Sequence, residues 1–241
     1  MSSGMYSALS GAIASMQQLD IISNNLANIN NSGFKKDEVQ FESLFQEQLQ
    51  TNWGDGVNFN RIRGTSTDFT QGGLKETGRN LDLAIDGEGF FKVATEEGFS
   101  YTRSGDFQLR EDGALVTPSG EQLVGEQGPV SLPHAQVRVE GDGTVLDREG
   151  EEVDRISVYN VQDSSLLEKQ GDNLWRYTGE EGDEPATADK LRQGFLEESN
   201  VSTMHAMTEL IEAKRLFQAY QRDMQAYGDV AEKAIEIGRI G

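Results

Sequence analysis

Cysteine is absent from the 241 residues. That excludes disulfides and thiolate metal sites and leaves the redox compartment unread. Proline occurs only four times and histidine twice, while glycine occurs 27 times. Basic residues are scarce, 21 Lys and Arg against 41 Asp and Glu, for a net charge of −20. A chain with no basic face cannot neutralise phosphates, so nucleic acid is excluded as a partner. No apolar run reaches the length of a membrane span, which excludes membrane insertion by a helix. Lys and Arg are also missing before Lys35, and the early apolar residues are spaced rather than contiguous. A cleaved secretory signal does not fit that pattern. If the chain leaves the cytoplasm, it is expected to do so without one.

The charge that is present is unevenly placed. Residues 1–32 carry a single charged side chain, Asp20, and residues 200–241 nearly balance six acids with five bases. The strong negative charge therefore sits on the middle of the chain. Near-neutral ends can pack together while the acidic body stays soluble.

The most regular stretch is C-terminal. Thr203, Ala206, Leu210, Ala213, Phe217, Tyr220, Met224, Tyr227, Ala231 and Ala234 alternate at three and four residues, the spacing of a helical seam. No Pro or Gly interrupts it before Gly228, where its end could bend or fray. A helix over 200–237 would be roughly 57 Å long. Such a seam needs a partner helix, from this chain or from neighbouring copies. Residues 4–29 offer one, with apolar positions at Tyr6, Leu9, Ile13, Met16, Leu19, Ile22, Leu26 and Ile29. The polar face there is Ser, Gln and Asn, almost without ion pairs to support it. Gly33 follows as a plausible left-handed cap.

Between the helices the pattern changes. Residues 34–75 combine helically spaced Phe41, Leu44, Phe45 and Leu49 with the Gly-rich Trp53–Val57 and a polar strand pattern at Val57, Phe59 and Ile62; an extended arm or hairpin is expected. Residues 78–195 read as short strands divided by turns such as Asp86-Gly, Asp112-Gly and Asp142-Gly. The expected fold class is α+β: long N- and C-terminal α-helices form a coiled-coil assembly domain, with an inserted all-β domain. The expected domains are 1–33 with 198–241, a connector over 34–77, and a β-rich body over 78–197.

Chemistry-bearing constellations are not apparent. His134 and His205 lack acidic or Ser partners at catalytic spacing. The Asp-Gly pairs supply too few oxygens at fixed spacing for calcium, and Gly87 with Gly89 does not complete a dinucleotide loop. The acidic stretch 180–184 reads as solvated surface. The expectation is a non-enzyme with no cofactor and no metal. A β-domain enzyme or binding module with a coiled-coil oligomerisation handle is the alternative, disfavoured because no nucleophile–base set or metal cluster is visible.

Three stretches carry a family resemblance: Ser23-Asn-Asn-Leu-Ala-Asn28 with Gly33-Phe34-Lys35; Leu81 to Phe91 with Tyr101-Thr-Arg-Ser-Gly-Asp-Phe107 and Asp112 to Thr117; and Gln193-Gly-Phe-Leu-Glu-Glu-Ser-Asn-Val201. Together, and in this order, they resemble the bacterial flagellar basal-body rod and hook family. One departure is Asn31, where the family usually has Thr. Length and the stretch Leu123–Pro133 are most similar to a proximal rod member, with the distal rod as the alternative.

The resemblance implies a structural subunit that is exported by the flagellar type III apparatus, polymerises helically with itself and homologous rod proteins in the periplasm, and transmits torque from motor to hook. It implies an assembly motif at Asn24, Asn25, Leu26, Asn28 and Gly33, the side-chain amides bonding between subunits. It also implies an assembly seam at Leu210, Ala213, Phe217, Tyr220, Met224, Tyr227 and Ala231.

Overall fold

A computed structural model describes residues 2–45, 58–179, 184–185 and 191–240. The chain divides into two compact units. Unit 1 gathers Met1–Ala27, Asp37–Asp68 and Ser202–Gly241; unit 2 gathers Asn28–Lys36 and Phe69–Val201.

Unit 1 contains helix α1 (Ser2–Ala27), strands β1 (Asp37–Phe45) and β2 (Asn58–Thr67), and helix α2 (Thr203–Ile240). The strands form an antiparallel ladder from Asp37↔Thr67 to Phe45↔Asn58, with a bulge at Gln40/Phe41. β1 thus covers Phe41, Leu44 and Phe45, whose spacing read as helical. The seam helix passes through Gly228 without a break. Helix α1 contains Gly4 and Gly11, each costing about 1 kcal/mol relative to Ala in a helix. Its order therefore depends on packing.

Unit 2 is built of short strands. In chain order they are β3 (Leu74–Glu76), β4 (Leu83–Ile85), β5 (Phe90–Thr95), β6 (Gly98–Thr102), β7 (Gln108–Leu109), β8 (Leu115–Val116), β9 (Gln122–Gly125), β10 (Gly128–Pro129), β11 (Arg138–Val139), β12 (Thr144–Leu146), β13 (Glu152–Arg155), β14 (Val158–Asn160), β15 (Leu167–Gly171), β16 (Leu174–Tyr177), β17 (Glu184–Pro185), β18 (Leu191–Gln193) and β19 (Phe195–Glu197). The main sheet runs β15-β16-β6-β5-β9-β8-β7, with β10 on β9, and β14 joining β5 to β17. A three-stranded sheet β11-β12-β13 and the pairs β18-β4 and β19-β3 complete the unit. Every pairing is antiparallel.

Two apolar clusters hold these short strands together. The larger includes Leu83, Ile85, Phe91, Val93, Phe107, Leu115, Leu123, Val130, Val145 and Ile156. Burying side chains of this size contributes roughly 1.5–3 kcal/mol each. The smaller is aromatic: Phe90, Tyr101, Tyr159 and Trp175 with Leu167. The β15–β16 turn has Asp172 and Asn173 at positive φ, 47° and 58°, the backbone of a hairpin turn that matches strand twist.

These observations correct the expected fold class. The structure is not a coiled-coil helical domain carrying one all-β insertion. Among the described residues there are two α-helices and a large multi-sheet β region, and the ladder β1–β2 clusters with the helices in unit 1. Nor does the first half of α1 bury its apolar row, although Ile22 further along is buried. Tyr6, Leu9, Ile13 and Met16 are exposed, while Ala8, Gly11, Ala12, Ala14 and Ser15 are buried. The cause is steric. Gly4 lies against the ring of Tyr227 and Gly11 against the ring of Tyr220, so closely that a Cβ on either glycine would overlap the tyrosine. Aromatic side chains of α2 occupy notches in α1 that only small residues leave open, and this turns the large apolar residues of α1 outward.

Candidate functional site

The motif that follows α1 contains no strand, yet it is tied at almost every residue. Within unit 1, Asn25 is buried and spends its amide on both backbone groups of Asp37: Nδ2 donates to the Asp37 carbonyl at 2.8 Å, and Oδ1 accepts from Asp37 N–H at 3.0 Å. Asn24 is exposed and Leu26 half-buried on the same last turn.

Within unit 2, Asn28 Oδ1 accepts from Asn31 Nδ2 at 2.8 Å, and the Asn31 N–H donates to the Asn28 carbonyl at 3.1 Å. Asn31 thus closes the turn where the family usually carries Thr. Gly33 has φ of 66° and is buried, and its N–H donates to the Glu197 carbonyl at 2.8 Å. A Cβ at Gly33 would overlap the Arg103 carbonyl and Ser104 N. Both backbone angle and space therefore require glycine at this position.

Two residues on lies an ionic cluster that the sequence reading missed. Lys35 Nζ pairs with Glu197 Oε1 at 2.5 Å, and Arg103 Nη1 with Glu197 Oε2 at 3.2 Å. Lys35 and Glu197 side chains have no exposed surface, and that of Arg103 has 3%. Lys35 Nζ also donates to the Thr70 carbonyl at 2.7 Å, and Glu197 Oε1 accepts from Gly72 N–H at 3.0 Å. Burial lowers the pKa of Arg103, an effect opposed by the Glu197 carboxylate. The Arg103 guanidinium also stands 5.2 Å over the Phe90 ring. Phe90 packs edge-on against Phe69, and Phe69 against Trp175, with centroids 5.4 and 5.8 Å apart. Leaving any one of these charges unpaired in the interior would cost about 3–5 kcal/mol.

Neighbouring bonds extend the arrangement. Lys36 N–H donates to Asn200 Oδ1 at 2.9 Å, and Asn200 Nδ2 donates to both oxygens of Thr70 at 3.2 Å. Asn173 Nδ2 donates to the Ser32 carbonyl at 3.1 Å, and Lys169 Nζ to the Lys35 carbonyl at 3.1 Å. The three stretches singled out in the sequence, around Lys35, Arg103 and Glu197, thus meet at one carboxylate. Each motif could be read separately, but nothing in the sequence singled out Lys35, Arg103 and Glu197 among the charges of these stretches.

The C-terminal seam is distributed differently. Ala206 and Ala213 are buried, at 5% and 3% exposure. Leu210, Phe217, Tyr220 and Met224 are half-buried, and Tyr227 is exposed at its edge beside Gly4. The side chains of Ala231 and Ala234 lie outside the described residues, as do Leu49, the stretch Trp53–Val57 and the acidic residues 180–183. Met204, Met207 and Ile211 form a separate exposed row at the start of α2.

Among the described residues, no group of three His, Asp or Glu side chains could hold a metal ion, and no helix is long and apolar enough to cross a membrane. His205 Nε2 lies 3.2 Å from Glu209 one helical turn on, exposed. His134 is half-buried in a loop.

Family models match the chain in three places. Residues 5–35 match the flagella basal body rod protein family, residues 84–147 the D1 domain of the flagellar hook protein FlgE/F/G, and residues 192–237 the C-terminal part of flagellar basal body rod FlgEFG proteins. Lys35, Arg103 and Glu197 fall one in each. The chain is 34% identical to the flagellar basal-body rod protein FlgF of Caulobacter vibrioides over 245 residues, covering 100% of both chains. It is 31% identical to FlgG of Bacillus subtilis over 260 residues, covering 98% of each, and 31% identical to FlgF of Mesorhizobium japonicum over 248 residues, again covering 98% of each.

Proposed function

The chain belongs to the flagellar basal-body rod protein family, and from that premise we propose that it is an FlgF-like structural subunit of the proximal rod. In this reading it assembles with copies of itself and with homologous rod proteins, carries torque from motor to hook, and reaches the periplasm through the flagellar export apparatus. Supporting the class is similarity that runs end to end and includes both helices. Supporting assembly is the exposed row Tyr6, Leu9, Ile13 and Met16 on a helix with one charged residue, Asp20. Contiguous apolar surface of that kind marks an interaction site.

The motif and the seam take separate roles. Asn25, Asn28 and Gly33 fix the chain as it leaves α1. Leu210, Ala213, Phe217 and Tyr220 hold α2 against α1. The outward rows of both helices then meet neighbouring subunits. Ile13 is 52% exposed, so Ile13→Asp is expected to melt within about 0.5 kcal/mol of the parent chain. A cell whose only copy carries Ile13→Asp is expected to build no complete rod and not to swim. Normal swimming by that cell overturns the reading.

A further inference from the structure

We infer that Asn28–Lys36 is a strap that docks on unit 2 and leaves it as one body, with the Glu197 carboxylate as its catch. The strap joins no sheet. Its one large buried apolar side chain is Phe34, which belongs to neither apolar cluster of the unit. Its other ties are polar: Gly33 N–H to the Glu197 carbonyl, Lys35 to Glu197 and Thr70, Lys36 N–H to Asn200, and the Ser32 and Lys35 carbonyls to Asn173 and Lys169. Ordering nine residues costs more conformational entropy than one phenylalanine returns. The strap is therefore held by its polar bonds, and the buried ionic one among them joins Lys35 to the Glu197 carboxylate.

Glu197 receives both cations, so it decides which states exist. With the carboxylate in place, Lys35 can be buried. Without it, the Lys35 ammonium loses the carboxylate it meets at 2.5 Å in the interior, and the inexpensive escape is for the strap to lift and return Lys35 to water. The body has no such escape, because Arg103 directly follows β6, with its guanidinium over Phe90. The strap follows α1 in the chain, and Glu197 lies just before α2. The catch therefore forms only in a chain that carries both ends. A chain stopped short of residue 197 would have a loose strap, with Lys35 and Lys36 open to proteases.

Amide hydrogen exchange on the full-length chain tests this, comparing peptides from 28–36 with peptides from β5 and β6. Glu197→Gln is expected to reduce protection over 28–36 by about tenfold or more, and by more than it reduces that of β5 and β6, beside which Arg103 loses its carboxylate. Glu198→Gln, at an exposed carboxylate 3.9 Å from Lys75, is expected to change neither. Unchanged protection of the strap in Glu197→Gln overturns the inference. If Glu197→Gln loses as much protection in β5 and β6, Lys35→Met decides, since it leaves the Arg103–Glu197 pair intact. A loose strap on a protected sheet then supports the inference, and any other pattern overturns it.

Discussion

At the scale of single residues, the informative positions are those where the backbone leaves one choice. Gly33→Ala would combine a left-handed backbone angle, which costs an alanine about 1–2 kcal/mol, with overlap against Arg103 and Ser104. The expected loss of stability is about 2–5 kcal/mol, read from the shift in denaturant midpoint. Asn25→Ala would strip two bonds from the Asp37 backbone, for about 1–3 kcal/mol. Asp112 offers a charge prediction. The Arg110 guanidinium and then the Ala114 N–H hold its carboxyl at about 2. A depressed carboxylate contributes stability that is present above its unfolded pKa and is lost as pH falls through the folded value. The pair is exposed, so the contribution is small. Arg110→Gln should move the Asp112 titration, followed by NMR, back toward the ordinary carboxylate range. Gly33 was legible in the sequence as a left-handed glycine, but not as a helix cap, since α1 ends at Ala27 and the Gly33 N–H bonds the Glu197 carbonyl. The role of Lys35 was not legible, because one of two adjacent lysines after a turn looks like any solvated lysine until Glu197, far along the chain, is brought to it.

At the scale of elements, periodicity was a good guide to where helices and hairpins lie and a poor guide to which helix face packs. The two helices stand close to their expected positions, and the Asp112-Gly113 turn joins β7 to β8. Individual strands were harder to place: β9 (Gln122–Gly125) ends on a glycine, and β15 is mostly polar (Leu-Glu-Lys-Gln-Gly). In α1 the large apolar row was visible, but glycine and alanine do not register as an apolar row. The missed signal was spacing: Gly4 and Gly11 are one heptad apart, as are Tyr220 and Tyr227. Helices approach closely wherever the contact side chains are small. Gly11→Leu should therefore separate α1 from α2 and lower the helical melting transition by about 1–3 kcal/mol. Tyr220→Ala should empty the notch, and the double variant should cost less than the two single changes added together. Strict additivity in that cycle would show that ring and notch do not meet.

At the scale of the whole molecule, the division into units is not a division of the chain into consecutive blocks. Unit 2 takes Asn28–Lys36 from one side of the β1–β2 ladder and Phe69–Val201 from the other. A fragment cut at the apparent start of the β region, near residue 78, would lack Lys35, Phe69, Thr70 and Gly72. It would bury Glu197 with one of its two cations missing and remove a ring from the aromatic cluster. The two pieces can instead be joined directly. Lys36 N–H and the Thr70 oxygens all bond to the side chain of Asn200, so the ends to be linked are only a few residues' reach apart. A chain of 28–201 in which 37–68 is replaced by a short Gly/Ser linker is therefore expected to fold alone, with the near-ultraviolet circular dichroism of buried Trp175 and a single cooperative melt. The same fragment carrying Lys35→Met should keep a cooperative melt while residues 28–36 lose exchange protection, because Glu197 retains Arg103 as a partner in the interior. A linker fragment without a cooperative transition would mean that unit 2 depends on unit 1 for its fold, and that the compact units are not folding units.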